Sequence, residues 1–301
     1  MVGLELIDAR GRVERREMVA ARVKRADRHK LILALIPGEA GLRPHRYDWR
    51  VVAGHQGPCV GAFSAEPTEP AASCIRTLPG RGYRVFRLRP VRVIGCTGGN
   101  GGPTGNGPRG RPVVALTFDD GPSDYTPRFL DVLREKHAHA TFFEIGQEIP
   151  GRAATMRRIL RDGDEIGNHT MHHGFFPGFS EIAPTSALIE SNTHFSPCLF
   201  RPPGGGVDEA VLNTAARLGM RTIVWDVDPS DWTNPGSEAV YRRVVSAAQP
   251  GSIILMHDGG GNRSGTLVAL PRIIDALRSR GYRFATVSAL LGQRFLYEPF
   301  G

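Results

Sequence analysis

Polar side chains suited to hydrolytic chemistry follow short apolar runs at five places in this chain. Residues 113–118 run into Asp119 and Asp120, and a run near 166 leads to Asn168, His169, Thr170, Met171, His172 and His173. Residues 198–200 lead into Arg201-Pro202-Pro203-Gly204-Gly205, 222–225 into Asp226 and then Asp228-Pro229-Ser230-Asp231-Trp232, and 253–256 into His257-Asp258. Adjacent carboxylates leaving a strand point to different sides, so one of Asp119 and Asp120 can hold a cation while the other handles a proton. The same residues, with Gly121 and Pro122, are also good turn chemistry. His169 and His173 are four apart and on a helical turn would share a face, which suits two imidazoles on one ion; His169 with His172 is the competing pair. Two histidines and one carboxylate leave positions open for water and substrate, as a catalytic ion needs. His257 is either a strand cap or a proton carrier, since its pKa lies near neutrality. Arg201 is held stiffly by the prolines after it, or else makes a surface salt bridge. Gly204 leaves a bare N–H that could serve an oxyanion.

The elements that must position these residues alternate. Candidate strands are 112–118, 140–145, 198–201, 222–226, 252–256 and 283–287, with a weaker one at 165–168. Candidate helices are 126–136, 150–162, 207–218, 237–248 and 267–280. Nearly continuous apolar strands alternating with helices imply an α/β fold with a parallel sheet. About seven such units predict a distorted (β/α) barrel, closed or nearly so, with functional residues at the C-terminal strand ends.

Composition limits the alternatives. The 301 residues are 41% apolar and 23% charged, with a net charge of +8. Residues 1–110 hold 19 Lys and Arg against 9 Asp and Glu, whereas the remainder is slightly acidic. The barrel region therefore carries no basic stripe for a phosphate backbone, and no nucleic-acid partner is expected. The longest aliphatic run, 31–36, is too short for a transmembrane helix. Cys59, Cys74, Cys96 and Cys198 lack C-x-x-C spacing, which argues against a cysteine zinc site and a dense disulfide framework. Residues 97–110, rich in glycine, have linker composition. Residues 1–96 read as a poorly structured basic extension; within it 14–36 reads as a basic helix and 83–94 as an edge strand. The cluster Arg22, Lys24, Arg25, Arg28 and Lys30 before a short apolar run gives no convincing signal peptide.

Taken in order, the five motifs resemble the polysaccharide deacetylase family that contains the NodB homology domain, carbohydrate esterase family 4. The resemblance spans about 111–292, leaving 293–301 as a tail. It implies metal-dependent removal of acetyl groups from N-acetylglucosamine-type sugars in peptidoglycan or chitin-like oligomers. Asp120, His169 and His173 match the metal ligands, usually for zinc, with cobalt or nickel as alternatives. Asp119 matches the general base, His257 the general acid, Arg201 the residue orienting Asp119, and Asp231 the one tuning His257. Gly204 matches the backbone oxyanion donor, Thr170 the brace of the histidine loop, and Trp232 and Leu255 the pocket for the acetyl methyl; core packing is the alternative for that last pair. The stretch 258–266 and the leucine-rich helix after it resemble members acting on β-1,4-linked glycans. A monomer acting outside the cell or in its envelope is expected. Acetyl-xylan ester hydrolysis and a non-catalytic glycan-binding protein on the same fold are the other readings. Three departures stand out. The third motif lacks the usual aromatic at Gly204, which leaves that wall of the groove open. The second motif lacks its following proline. The helix between His173 and Arg201 looks truncated, and Phe175, Phe176 and Phe179 there read as packing, with sugar stacking as the alternative.

Overall fold

The computed structural model describes residues 2–7, 13–19, 21–27, 30–35, 85–89, 91–97 and 102–299. The chain divides into two units, Met1–Arg92 with Glu298–Gly301, and Val93–Tyr297. In the first, β1 (Val2–Ile7) pairs antiparallel with β2 (Val13–Val19) and with β5 (Val85–Arg89), while β3 (Ala21–Asp27) and β4 (Lys30–Leu35) form a hairpin. The helix expected over 14–36 is thus replaced by strands, and the strand expected over 83–94 is present as β5 and β6 (Val91–Cys96). The basic run at 22–30 alternates with Val23 and Ala26 at a spacing that fits neither period cleanly, so charge had hidden the strand pattern. Cys59 and Cys74 lie outside the described residues.

The second unit holds the barrel. Its parallel strands are β7 (Val113–Gly121), β8 (Ala140–Glu144), β9 (Glu165–Asn168), β10 (Leu199–Phe200), β11 (Arg221–Thr222) and β12 (Ile253–His257), in the order β11-β10-β9-β8-β7-β12. A short β13 (Arg283–Phe284) pairs with the start of β7. Between β11 and β12 the wall is carried by a single parallel bridge, Val227 to Ile254, and by the chain before β7, where Thr104 bridges Ile223 and Asn106 bridges Ser252. Six parallel strands thus curl into a distorted barrel. β11 is shorter than the expected 222–226: beyond Thr222 the chain bonds in turn to Phe200 of β10, to Thr104 and to Ile253 of β12.

Helices α1 (Thr126–Glu135), α2 (Ala153–Arg161), α3 (Phe179–Thr193), α4 (Glu209–Arg217), α5 (Ser237–Ala247), α6 (Ser264–Ser279) and α7 (Val287–Leu291) follow the strands. Burial of Phe118, Phe129, Phe142, Leu130, Met156, Ile254 and Leu270 forms the main core between strands and helices. Full burial of a side chain of that size contributes about 1.5–3 kcal/mol, so this layer fixes the strand ends that carry the polar residues.

One finding differs from the sequence reading, and one adds to it. α3 is a helix of 15 residues, not a truncated one, burying Ile182, Thr185 and Ile189. Pro184 lies inside it, which removes one donor and hides the helix from a propensity argument. A disulfide joins Cys96 to Cys198, directly before β10, across 102 residues of sequence with the Cα atoms 5.7 Å apart.

Candidate active site

The first motif is shaped by a bulge. β7 pairs Asp119 with Phe143 and Gly121 with Glu144, so Asp120 is the extra residue and takes φ 72°. A bulge breaks the alternation of a strand and turns two successive carboxylates toward one end of the barrel. The backbone of Gly259 approaches so near the Asp120 carbonyl that a Cβ there could not be accommodated.

Asp120, His169 and His173 converge. Their ligand atoms all lie within 4.8 Å of one another, with Asp120 Oδ1 3.5 Å from His169 Nε2 and 3.2 Å from His173 Nε2. Asp120 Oδ1 is buried without a hydrogen-bond partner. Donor atoms around a small ion at about 2.0–2.1 Å would stand at such separations, so these residues fit a divalent metal. Burial alone would raise the Asp120 pKa, but the two histidines and the charge of His257 hold it well below the usual carboxylate range. The neighbouring Asp120 carboxylate raises the His173 pKa above its ordinary value, against the opposing effect of burial.

The histidines do not lie on a helix, as the i, i+4 argument supposed. They follow β9 in a loop in which Thr170 and His173 both have positive φ, 71° and 58°. His169 Nδ1 donates to the Arg201 carbonyl at 2.7 Å, which leaves Nε2 with the lone pair a metal needs. Thr170 Oγ1 accepts from the His173 N–H at 3.0 Å, as a brace would. His172 turns to α3 instead: its Nδ1 lies 2.9 Å from Glu181 Oε1, while Glu181 Oε2 accepts from the N–H groups of Met171 and His172.

The loop therefore depends on α3, through residues that sequence reasoning missed. Asn168 Oδ1 accepts from the Thr170 N–H, and its Nδ2 donates to the Ile182 carbonyl at 2.7 Å and to Ser186 Oγ at 2.9 Å. The only sequence signal was an amide directly before the first histidine. Asn168→Ala is expected to weaken divalent-metal binding by about 10–100-fold, as loss of a ligand's support does elsewhere; competition with a chromogenic chelator would measure it.

Arg201 is fully buried, not a surface pair. Nη1 donates to Asp119 Oδ1 at 2.7 Å and Thr117 Oγ1 at 2.8 Å, Nη2 to the Val224 carbonyl at 3.3 Å, and the guanidinium lies 4.1 Å from the Phe143 ring centre. Asp119 Oδ2 is left 3.7 Å from His169 Nε2. Burial lowers the Arg201 pKa, and the charge and hydrogen bond of Asp119 oppose that fall.

On the same rim, at the end of the neighbouring strand β12, where His257 stands in register with Asp119, His257 Nδ1 bonds to Asp231 Oδ1 at 2.7 Å. Asp231 Oδ2 accepts from the His257 N–H and from Thr266 Oγ1. Asp231 reaches this place because Asp228 Oδ1 accepts from the Ser230 N–H, and Ser230 then turns with φ 51°. Burial lowers the His257 pKa, but the Asp231 hydrogen bond and charge, with Asp119 and Asp120 beyond, raise it above the ordinary value. Leu255 is buried on β12, outside the core clusters, and Trp232 is 56% exposed, so core packing does not explain the tryptophan. Gly204 lies in a short 3-10 turn with φ 63°. The wall expected to be open beside it is filled: a Cβ there would lie 2.6 Å from Cε1 of Phe175.

Two buried carboxyls, Glu144 and the Asp258 of the fifth motif, were given no role by the sequence reading. Glu144 has both oxygens without partners, and burial with the charges of Asp258 and Asp119 raises its pKa well above the usual range. Burial, with Asp120 and Asp119 nearby, pushes Asp258 up to about 7 despite its bond from Thr126.

A curled parallel sheet with a two-histidine, one-carboxylate cluster at its C-terminal rim and an Asp–His pair on the adjacent strand end defines a metal-dependent hydrolase. The family model for polysaccharide deacetylase matches residues 106–223. The chain is 43% identical over 192 residues to a peptidoglycan-N-acetylglucosamine deacetylase of Bacillus cereus, covering 61% of this chain and 90% of that protein. It is 38% identical over 191 residues to a chitooligosaccharide deacetylase of Sinorhizobium fredii, covering 58% and 89%. Among solved structures, a peptidoglycan N-acetylglucosamine deacetylase in complex with 4-naphthalen-1-yl-N-oxidanyl-benzamide superposes with a TM-score of 0.60 at 32% identity, covering 63% of this chain and 92% of that one. The chain belongs to the polysaccharide deacetylase family, and the relatives it matches include named deacetylases of peptidoglycan and of chitooligosaccharides.

Proposed function

We propose that the chain removes N-acetyl groups from N-acetylglucosamine units of a β-1,4-linked glycan, peptidoglycan or chitin-like, with zinc held by Asp120, His169 and His173. The observation that carries this reading is the unpartnered, buried Asp120 Oδ1 facing both imidazoles. A zinc ion there would supply Lewis acidity, polarising the acetyl carbonyl and lowering the pKa of water toward ~7.

The chain's own residues do the rest. Asp119, fixed through one oxygen by Arg201, takes the proton of the attacking water with the other. The Gly204 N–H donates to the oxyanion that forms on the carbonyl oxygen. Protonated His257, held by Asp231, gives its proton to the departing amine, without which nitrogen leaves poorly. Trp232 and Leu255 enclose the acetyl methyl. Arg201 and Asp231 act as positioning residues.

Residues 111–292 carry this activity. The Cys96–Cys198 disulfide fits an oxidising compartment, which supports action in the cell envelope or outside the cell. Among the described residues no helix is long and apolar enough to cross a membrane. Acetate release from N-acetylchitotetraose, peptidoglycan and acetylated xylan tests the substrate. Turnover of the N-acetylated glycans is expected, whereas release from xylan alone would make this an ester hydrolase.

A further inference from the structure

Most of the stretch 258–266 has no part in the chemistry above. Three glycines, 259–261, lead from the end of β12 toward Arg263, which directly precedes α6. Arg263 is only 3% exposed. A buried guanidinium ordinarily faces a carboxylate, because an unpaired charge is costly away from water. Here, among the described residues, every hydrogen bond it makes goes to a backbone carbonyl: Nε donates to Gly259 at 2.6 Å, Nη2 to Gly260 at 2.9 Å and Nη1 to Asn262 at 3.3 Å.

Two of those carbonyls belong to the backbone that presses on the carboxylate of the metal site. The N–H groups of Asp258 and Gly259 donate to the Asp119 carbonyl at 3.1 and 3.3 Å. A Cβ at Gly259 would collide with the Asp120 carbonyl, and one at Gly260 with Asp120 Oδ2. The Asp120 carboxylate thus stands between Gly260 on its Oδ2 side and the two imidazoles on its Oδ1 side. Only glycine permits so close an approach, and Gly260 also takes φ 68°. The freedom that admits the contact also leaves the segment free to drift, so another group must fix it. The guanidinium does so: its donors form a rigid planar fork, and Nε with Nη2 holds two successive carbonyls. Asn262 secures the far end, its Oδ1 accepting from Tyr125 Oη and from the Ser264 N–H, both at 3.0 Å.

We propose that Arg263 is a positioning residue of the metal site, clamping the 259–260 backbone against Asp120 so that its carboxylate stays turned to His169 and His173. This rests on the metal reading above. Arg263 acts through Asp120 and not on the reacting atoms. A ligand that loses its support must be reordered when the ion binds, and metal affinity falls accordingly.

The test pairs zinc affinity, measured by competition with a chromogenic chelator, with hydrogen–deuterium exchange of the metal-free protein. Arg263→Lys keeps the charge and can reach one carbonyl, whereas Arg263→Met keeps the bulk and can reach none. The zinc Kd should rise about 10-fold in the first and about 100-fold in the second. Exchange should quicken in peptides covering 119–121 and 258–263 and keep the wild-type rate in α4. Wild-type zinc affinity in a folded Arg263→Met protein overturns the assignment. So does a loss of affinity with faster exchange throughout the barrel, which would make Arg263 a general support of the fold. Local quickening in the variants of a protein that binds no zinc even as wild type upholds the clamp and overturns the metal reading instead.

Discussion

Asp119→Asn is expected to lower kcat for acetate release by about 10²–10⁴-fold while leaving KM for the glycan nearly unchanged. An amide still accepts the Arg201 hydrogen bond, so the geometry survives, but it cannot take a proton from water. The variant carries a second cost, because Arg201 is fully buried and would lose its counter-charge. Breaking such a pair outright destabilises by roughly 3–5 kcal/mol, and the retained acceptor should keep the loss below that range. Thermal unfolding measured beside the kinetics separates the two effects. A variant that is folded and zinc-loaded yet inactive assigns the base, whereas a folded variant with wild-type kcat removes Asp119 from that role.

The second large effect concerns His257. His257→Ala should cut N-deacetylation by about 10²–10⁴-fold and spare hydrolysis of an aryl acetate, whose leaving group needs no proton. Equal losses on both substrates would assign His257 to binding rather than to acid catalysis. The pH dependence has a definite sign. Asp231 raises the His257 pKa, so the acid form persists above the ordinary histidine range and kcat/KM falls only on the alkaline side of it. The stability contributed by this pair is fully present below the unfolded pKa and is lost as pH rises through the folded one. Asp231→Asn should therefore move the alkaline limb to lower pH.

Much of the site was legible because its chemistry sits in short motifs at strand ends. The Asp-Asp pair, the three histidines, Arg201 before its prolines and His257 after an apolar strand each announce a function. Order along the chain fixed which strand carries which. The supports were hidden by their nature. Asn168 and Glu181 matter through contacts made across α3, which Pro184 and a weak apolar stripe concealed. The choice of His173 over His172 depends on positive φ at Thr170 and His173, which residue type does not announce. Arg201 could not be recognised as buried without the Phe143 ring and Asp119 around it. The Cys96–Cys198 link joins residues 102 apart, beyond any local spacing rule. The Gly-rich stretch shows the limit of composition: Thr104 and Asn106 have sheet partners despite their surroundings. In the first unit, a charged run whose spacing fits neither period cleanly was read as helix where strands stand.

The central claim is that Asp120, His169 and His173 hold a metal on which deacetylation depends. Acetate released from N-acetylchitotetraose should be followed for the purified protein, after chelation, and during stepwise return of zinc. The account predicts that chelation abolishes release and that activity returns linearly to saturation at one zinc per chain, with no return in Asp120→Asn. Undiminished release from chelated protein shown to be metal-free, or full zinc-restored activity in Asp120→Asn, would contradict it.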